Sequence, residues 1–177
     1  MRKIFAGLLS LLGVGSAAAQ SPSTPPDEVT SGFRSMVLGL TPGEIGLGPE
    51  NTSGKVWGIV MDTGVEGGFH TLIVLADGTA SLYFSNGGGI IGAGEREPVR
   101  EASRELLATS NRFAGTAAPT NDTAPPSNGT TRFFLLTFDG LRSYVAQEVD
   151  LGEQRDPLSP LFHAAHAVIT QLGLAQP

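Results

Sequence analysis

The apolar positions of this chain change period along its length, and the changes mark out its elements. Between Asp27 and Leu40, Val29, Phe33, Met36, Val37 and Leu40 recur at helical spacing. Thr24 and Pro25 ahead of them are a capping residue and a first-turn proline, so an amphipathic helix is predicted there. From Lys55 the period shortens. KVWGIVMD, FHTLIVLA and TASLYFS are short runs rich in β-branched and aromatic residues and predict three strands, with Asp77-Gly78 as a hairpin turn between the last two. The middle run is apolar on both faces, as a central strand would be. In the third, Ala80, Leu82 and Phe84 alternate with Ser81, Tyr83 and Ser85, which predicts one covered and one open face.

A glycine-dense stretch, NGGGIIGAGE, then leads to a helix opening at Pro98. At about 100° per residue, Val99, Ala102, Leu106 and Phe113 fall on one side of it, with Arg100, Glu101, Arg104, Glu105 and Arg112 away from them. TRFFLLTF and LRSYVAQEV flank Asp139-Gly140, a second hairpin signal, and a last helix is predicted over 159–172. The order αβββαββα predicts a two-layer α+β fold, a mostly antiparallel five-stranded sheet backed by helices. Residues 114–130, rich in Pro, Thr and Asn, predict a disordered loop. With 177 residues, 40% of them apolar, the chain has material for one core, and a single domain is expected over 27–177.

The N-terminus departs from this pattern. Arg2 and Lys3 precede an apolar run from Ile4 to Val14, and Ala17-Ala18-Ala19 follows. Those are the three parts of a secretory signal peptide, expected over 1–19, with QSPSTPP at 20–26 as a linker. The apolar run is too short for a stable membrane span, so a periplasmic or secreted protein is expected. A net charge of −6 opposes nucleic acid and anionic lipid as partners. The absence of cysteine removes disulfides, thiolate metal sites and a cysteine nucleophile.

Candidate chemistry centres on the glycine stretch, where bare main chain can approach a ligand or partner. Asn86, Gly87, Gly88, Gly89, Gly92, Gly94 and Glu95 form the predicted contact set. Gly87, Gly89 and Gly92 match the spacing of a dinucleotide fingerprint. The preceding strand comes from a hairpin, however, and no acidic residue lies about 20 positions on to hold a ribose. His163 and His166 lie one turn apart but opposite the predicted buried stripe, and nothing in the sequence brings His70 to them, so a solvated face is expected and no metal. Asp150, Glu153 and Asp156 lack the alternating ligands of a calcium loop and read as a solvated acidic turn. Asp62, Glu66 and Asp77 fall at predicted strand ends, where two carboxylates could do acid and base work if they converged. The chain carries no phosphate loop, nucleophile elbow or HExxH. No catalytic residue and no cofactor is expected.

VWGIVMDTG, LADGTASLYFSNGGGIIGAGE, FFLLTFDG and LSPLFHAAHAVITQL resemble blocks of a group of small bacterial proteins of uncharacterised function, the glycine block being the most specific. The resemblance spans roughly residues 56–172 apart from the 114–130 loop and implies no activity. Some members of that group begin without an export signal, which makes cytoplasmic the alternative location. The expected function is a non-catalytic exported binding or assembly domain presenting the glycine turn to an unknown protein or small ligand. Two rivals remain: a small-ligand enzyme or hydrolase beside the same turn, drawing on Asp62, Glu66, His70 or Tyr83, and a purely structural domain.

Overall fold

The computed structural model describes residues 26–175. The expected leader at 1–19 and the linker, apart from Pro26, lie outside the described residues. Among the described residues four α-helices, α1 (Pro26–Gly39), α2 (Glu97–Phe113), α3 (Glu148–Gly152) and α4 (Ser159–Leu174), accompany seven strands. The long strands are β1 (Val56–Val65), β2 (Gly68–Leu75), β3 (Ala80–Phe84), β6 (Thr130–Thr137) and β7 (Gly140–Gln147). Two more, β4 (Gly89–Ile90) and β5 (Ala118–Pro119), are two residues each.

The α+β class and the antiparallel sheet agree with the sequence pattern, but the sheet has seven strands rather than five. Its order is β4-β3-β2-β1-β6-β7-β5, every neighbouring pair antiparallel. The additional strands escape a periodicity argument because two residues make no alternation; main-chain pairing alone defines them. Both Asp-Gly turns form hairpins as predicted, joining β2 to β3 and β6 to β7. A third hairpin joins β1 to β2, pairing Val65 with Gly68. The central position belongs to β1, hydrogen-bonded to β2 on one side and β6 on the other, with β2 beside it.

Helices cover both faces of the sheet, so the expected two layers are three. On one face Ile59, Met61, Leu72, Phe133 and Leu135 pack against Val99 and Leu106 of α2 and Leu161 and Val168 of α4. On the other, Trp57, Val60, Ile73 and Phe134 lie beneath Val37 of α1 and the short 3₁₀ turn Pro42–Ile45 that follows it. That second cover explains why nine of the ten residues of β1 are buried. It also buries Ser81 and Tyr83, on the β3 face predicted to be open.

Among the residues buried by α1 is a charge. Asp62 is fully inaccessible, and Arg34 of α1 donates to its Oδ2 from Nε at 2.8 Å and Nη2 at 2.6 Å. Thr71 donates to Oδ1 at 2.6 Å. The same Arg34 Nη2 reaches the carbonyl of Thr123 at 2.8 Å, and the guanidinium lies 5.5 Å from the Phe134 ring centroid. A forked donor satisfying both carboxylate and main chain is the arrangement that lets an ion pair persist away from water.

Thr123 belongs to the 114–130 segment expected as a disordered loop. Instead it is bound to the sheet at several points. Arg132 of β6 donates to Asp122 Oδ2 at 3.0 Å, to the Asp122 carbonyl at 2.8 Å and to the Ala124 carbonyl at 2.9 Å. β5 pairs with Arg142 and Ser143 of β7, and the Gly129 N–H bonds to the Gly64 carbonyl at 3.0 Å. The segment whose composition argued against packing supplies main-chain acceptors to three arginines, Arg34, Arg132 and Arg142.

Asp62→Ala strands the Arg34 charge in a dry site and is expected to cost about 3–5 kcal/mol in urea unfolding, as loss of one partner from a buried pair does. The Arg34→Met/Asp62→Leu double variant is expected to recover most of that loss, which a double-mutant cycle measures.

Candidate functional site

A groove of about 550 Å³ opens between α1 and the β2–β3 part of the sheet. Ile73, Leu75 and Tyr83 form its floor. α1 supplies one wall through Phe33 and Met36, and the other is the β2–β3 turn together with Ile91, Gly92, Gly94 and Glu95. Phe33 stacks on Tyr83 with centroids 5.6 Å apart and planes 15° from parallel, which holds the helix against the floor. Apolar side chains remain open around the groove: Phe33 is 38%, Met36 55% and Ile91 66% exposed. Asp77 and Glu95 stand at its rim.

The structure divides the predicted contact set. Asn86, Gly87 and Gly88 make the tight β3–β4 turn, in which the Gly87 N–H bonds to the Phe84 carbonyl at 2.9 Å and the Phe84 N–H to the Gly88 carbonyl at 3.2 Å. Neither these residues nor Gly89 line the groove. Gly92, Gly94 and Glu95 do. Two of the glycines have a packing cause: a Cβ on Gly89 would overlap the Leu82 carbonyl oxygen, and one on Gly94 the Gly78 carbonyl oxygen. At Gly94 the short 3₁₀ turn Ala93–Glu95 presses directly on the β2–β3 hairpin, setting the wall of the groove.

Several groove residues escape sequence reasoning, although a signal exists. The apolar stripe of α1 extends beyond buried Val37 to Phe33, which seats the helix on Tyr83, and to Met36, which stays open. Likewise Ile90 and Ile91 are adjacent, so both cannot face inward; β4 pairing sends Ile90 to the core and leaves Ile91 at the groove.

The remaining candidates do not converge. Asp62, predicted at a strand end, lies within β1 and is bound to Arg34 and Thr71, because β1 continues to Val65. Glu66 is exposed in the β1–β2 turn. Asp77 accepts the Thr79 N–H at 2.9 Å in the next turn. In the predicted acidic turn, Asp150 and Glu153 both pair with Arg155, while Asp156 accepts from the Leu158 N–H and the Tyr144 hydroxyl.

The histidines follow expectation only in part. His163 is exposed, but His166 is half-buried, its ring 4.2 Å from that of Phe162, and its Nε2 has no hydrogen-bond partner. Burial pushes the His166 imidazole below its ordinary value, and the nearby His70 and His163 rings push it further. His70 is lowered by burial too, against an opposing pull from Glu148 and Asp62. The fold thus brings β2 toward α4 in a way spacing along the chain could not show. Among the described residues, no group of three or more His, Asp or Glu side chains could hold a metal ion.

Two measurements follow from this geometry. Gly94→Ala is expected to destabilise the fold by about 1–3 kcal/mol in urea unfolding, because overpacking against main chain cannot relax by a rotamer change. Gly115→Ala, where a Cβ meets nothing within 4 Å, is expected to stay within about 0.5 kcal/mol of the parent. The second concerns pH. An unfolded histidine takes its proton near 6.5, whereas folded His166 and His70 resist until lower pH. Between those points the unfolded chain holds more protons, so stability rises with pH there and is lost as pH falls below 6.5. The urea midpoint is expected to be lower at about pH 5 than at about pH 7.5, and His166→Met is expected to flatten that dependence.

Comparison of the chain with protein-family models, with curated proteins and with solved structures gives no match, so its functional reading rests on the groove and the residues around it.

Proposed function

We propose that this chain is a non-catalytic binding domain, exported through its N-terminal leader, whose groove between α1 and the β2–β3 hairpin accepts a ligand with an apolar body. The observation that carries the reading is the exposure of Phe33, Met36 and Ile91 around a concave surface with a buried floor. Open apolar side chains gathered at a concavity mark binding sites more than chance exposure does. The glycine turn contributes through its second half, Gly92 to Glu95, which forms the rim. Its first half is occupied with its own hairpin.

The enzyme alternative draws less support from the same geometry. Of Asp62, Glu66, His70 and Tyr83, only Tyr83 lines the groove. Asp62 is committed to Arg34, and His70, one residue from Thr71 in β2, faces the opposite side of the sheet. A nucleophile and a base within hydrogen-bond reach would be needed in one cleft. A purely structural reading accounts for Gly89, Gly94 and Phe33 but leaves the open side chains of Met36 and Ile91 without a cause. For location, no helix among the described residues is long and apolar enough to cross a membrane; export itself is tested by N-terminal sequencing of the mature protein.

Titration with Nile red, a neutral dye that brightens in apolar surroundings, tests the groove. Wild-type protein is expected to bind it saturably, and Met36→Asp and Ile91→Asp are each expected to weaken binding by about tenfold, the scale of one buried apolar side chain. Both positions are exposed in the free protein, so the urea midpoint is expected to hold. Absent dye binding, or equal binding by the variants, would overturn the proposal.

A further inference from the structure

We infer that the groove selects a small amphipathic cation, a molecule joining an aliphatic or aromatic body to an ammonium or guanidinium group. The inference rests on the groove being a binding site and adds the chemistry of its ligand. Of the described residues that line the groove, the two that carry charge, Asp77 and Glu95, are both carboxylates, and no Lys or Arg is among them. Among the described residues neither takes part in an ion pair. Both are exposed, and they stand on the same wall, one in the β2–β3 turn and one in the Ala93–Glu95 turn that Gly94 seats against it. The groove also carries Phe33 on α1, whose ring stacks on Tyr83 and stays partly open to solvent. A rim with two unpaired carboxylates and no cation among its lining residues favours a positively charged head group. An anionic ligand would meet like charge at the rim, and a neutral one would leave both carboxylates unused.

The floor sets the rest of the ligand. Ile73 and Leu75 are buried aliphatic residues and suit hydrocarbon. A volume of about 550 Å³ falls in the range that encloses a small molecule. An extended peptide adding to the sheet is disfavoured, because the β3 edge beside the groove is already taken by β4 and by Gly94.

Displacement of Nile red from the full chain by octylammonium, 1-octanol and octanoate tests this, since the three share a hydrocarbon body and differ in head-group charge. Octylammonium is expected to displace best and octanoate worst. The amine should lead the alcohol by about three- to tenfold, as two exposed ion pairs permit. That lead is expected to vanish in about 1 M salt, where charges are screened within a few ångströms. It should vanish also in the Asp77→Asn/Glu95→Gln variant, in which the amide oxygen that replaces the Asp77 carboxylate can still accept the Thr79 N–H. Dye binding without a preference for the amine, or a preference that survives the double variant, overturns the inference and leaves the groove as an apolar site. Failure of the dye to bind at all overturns both.

Discussion

Asp62 imposes a condition that much of this fold is arranged to meet. A carboxylate on the central strand of a sheet covered on both faces has no water to turn to, and its isolated burial would cost more than a small domain can spare. Arg34 answers it from α1, and Thr71 from the neighbouring strand. That answer has consequences beyond the pair. Arg34 is on the helix that covers the sheet, so the position of α1 is tied to a residue of β1. Through the Thr123 carbonyl the same guanidinium also holds the 114–130 segment. One buried charge therefore links three parts of the chain far apart in sequence.

The two faces of the sheet are closed to different degrees, and the site follows from that asymmetry. α2 and α4 together cover one face and leave it packed. A single helix cannot do the same for the other. α1 and the 3₁₀ turn lie over part of it, the 114–130 segment is bound near Asp62 and Arg132, and a gap is left between α1 and the β2–β3 turn. Gly94 keeps that gap bounded by letting main chain approach main chain. The groove is what remains when a sheet of this width is covered by one short helix.

Much of the architecture is legible in the sequence because it depends on local chemistry. The period of apolar residues locates α1, α2, α4 and the five long strands, and the Asp-Gly pairs locate two hairpins. Features that depend on distant partners are not legible. The Ser81/Tyr83 face of β3 carries polar atoms and reads as open, yet α1 lies over it. Residues 114–130 read as unable to pack, and nothing local to them says that Arg34 and Arg132 will need carbonyl acceptors. The glycine block points to the right region, but composition cannot separate Gly94, required by contact with Gly78, from Gly88, required only by its turn. His166 reads as part of a solvated helix face because helical angle alone ignores the sheet end that carries His70.

The two shortest strands give the sheet its margins. β4 offers an incoming chain only two residues of main chain, and β5 offers two of which one, Pro119, has no N–H. A β-ladder propagates between molecules when an unpaired row of donors and acceptors is long and regular. Here the row is interrupted at each end of the seven-stranded array, so the architecture that stacks strands so readily within one molecule discourages their continuation into the next.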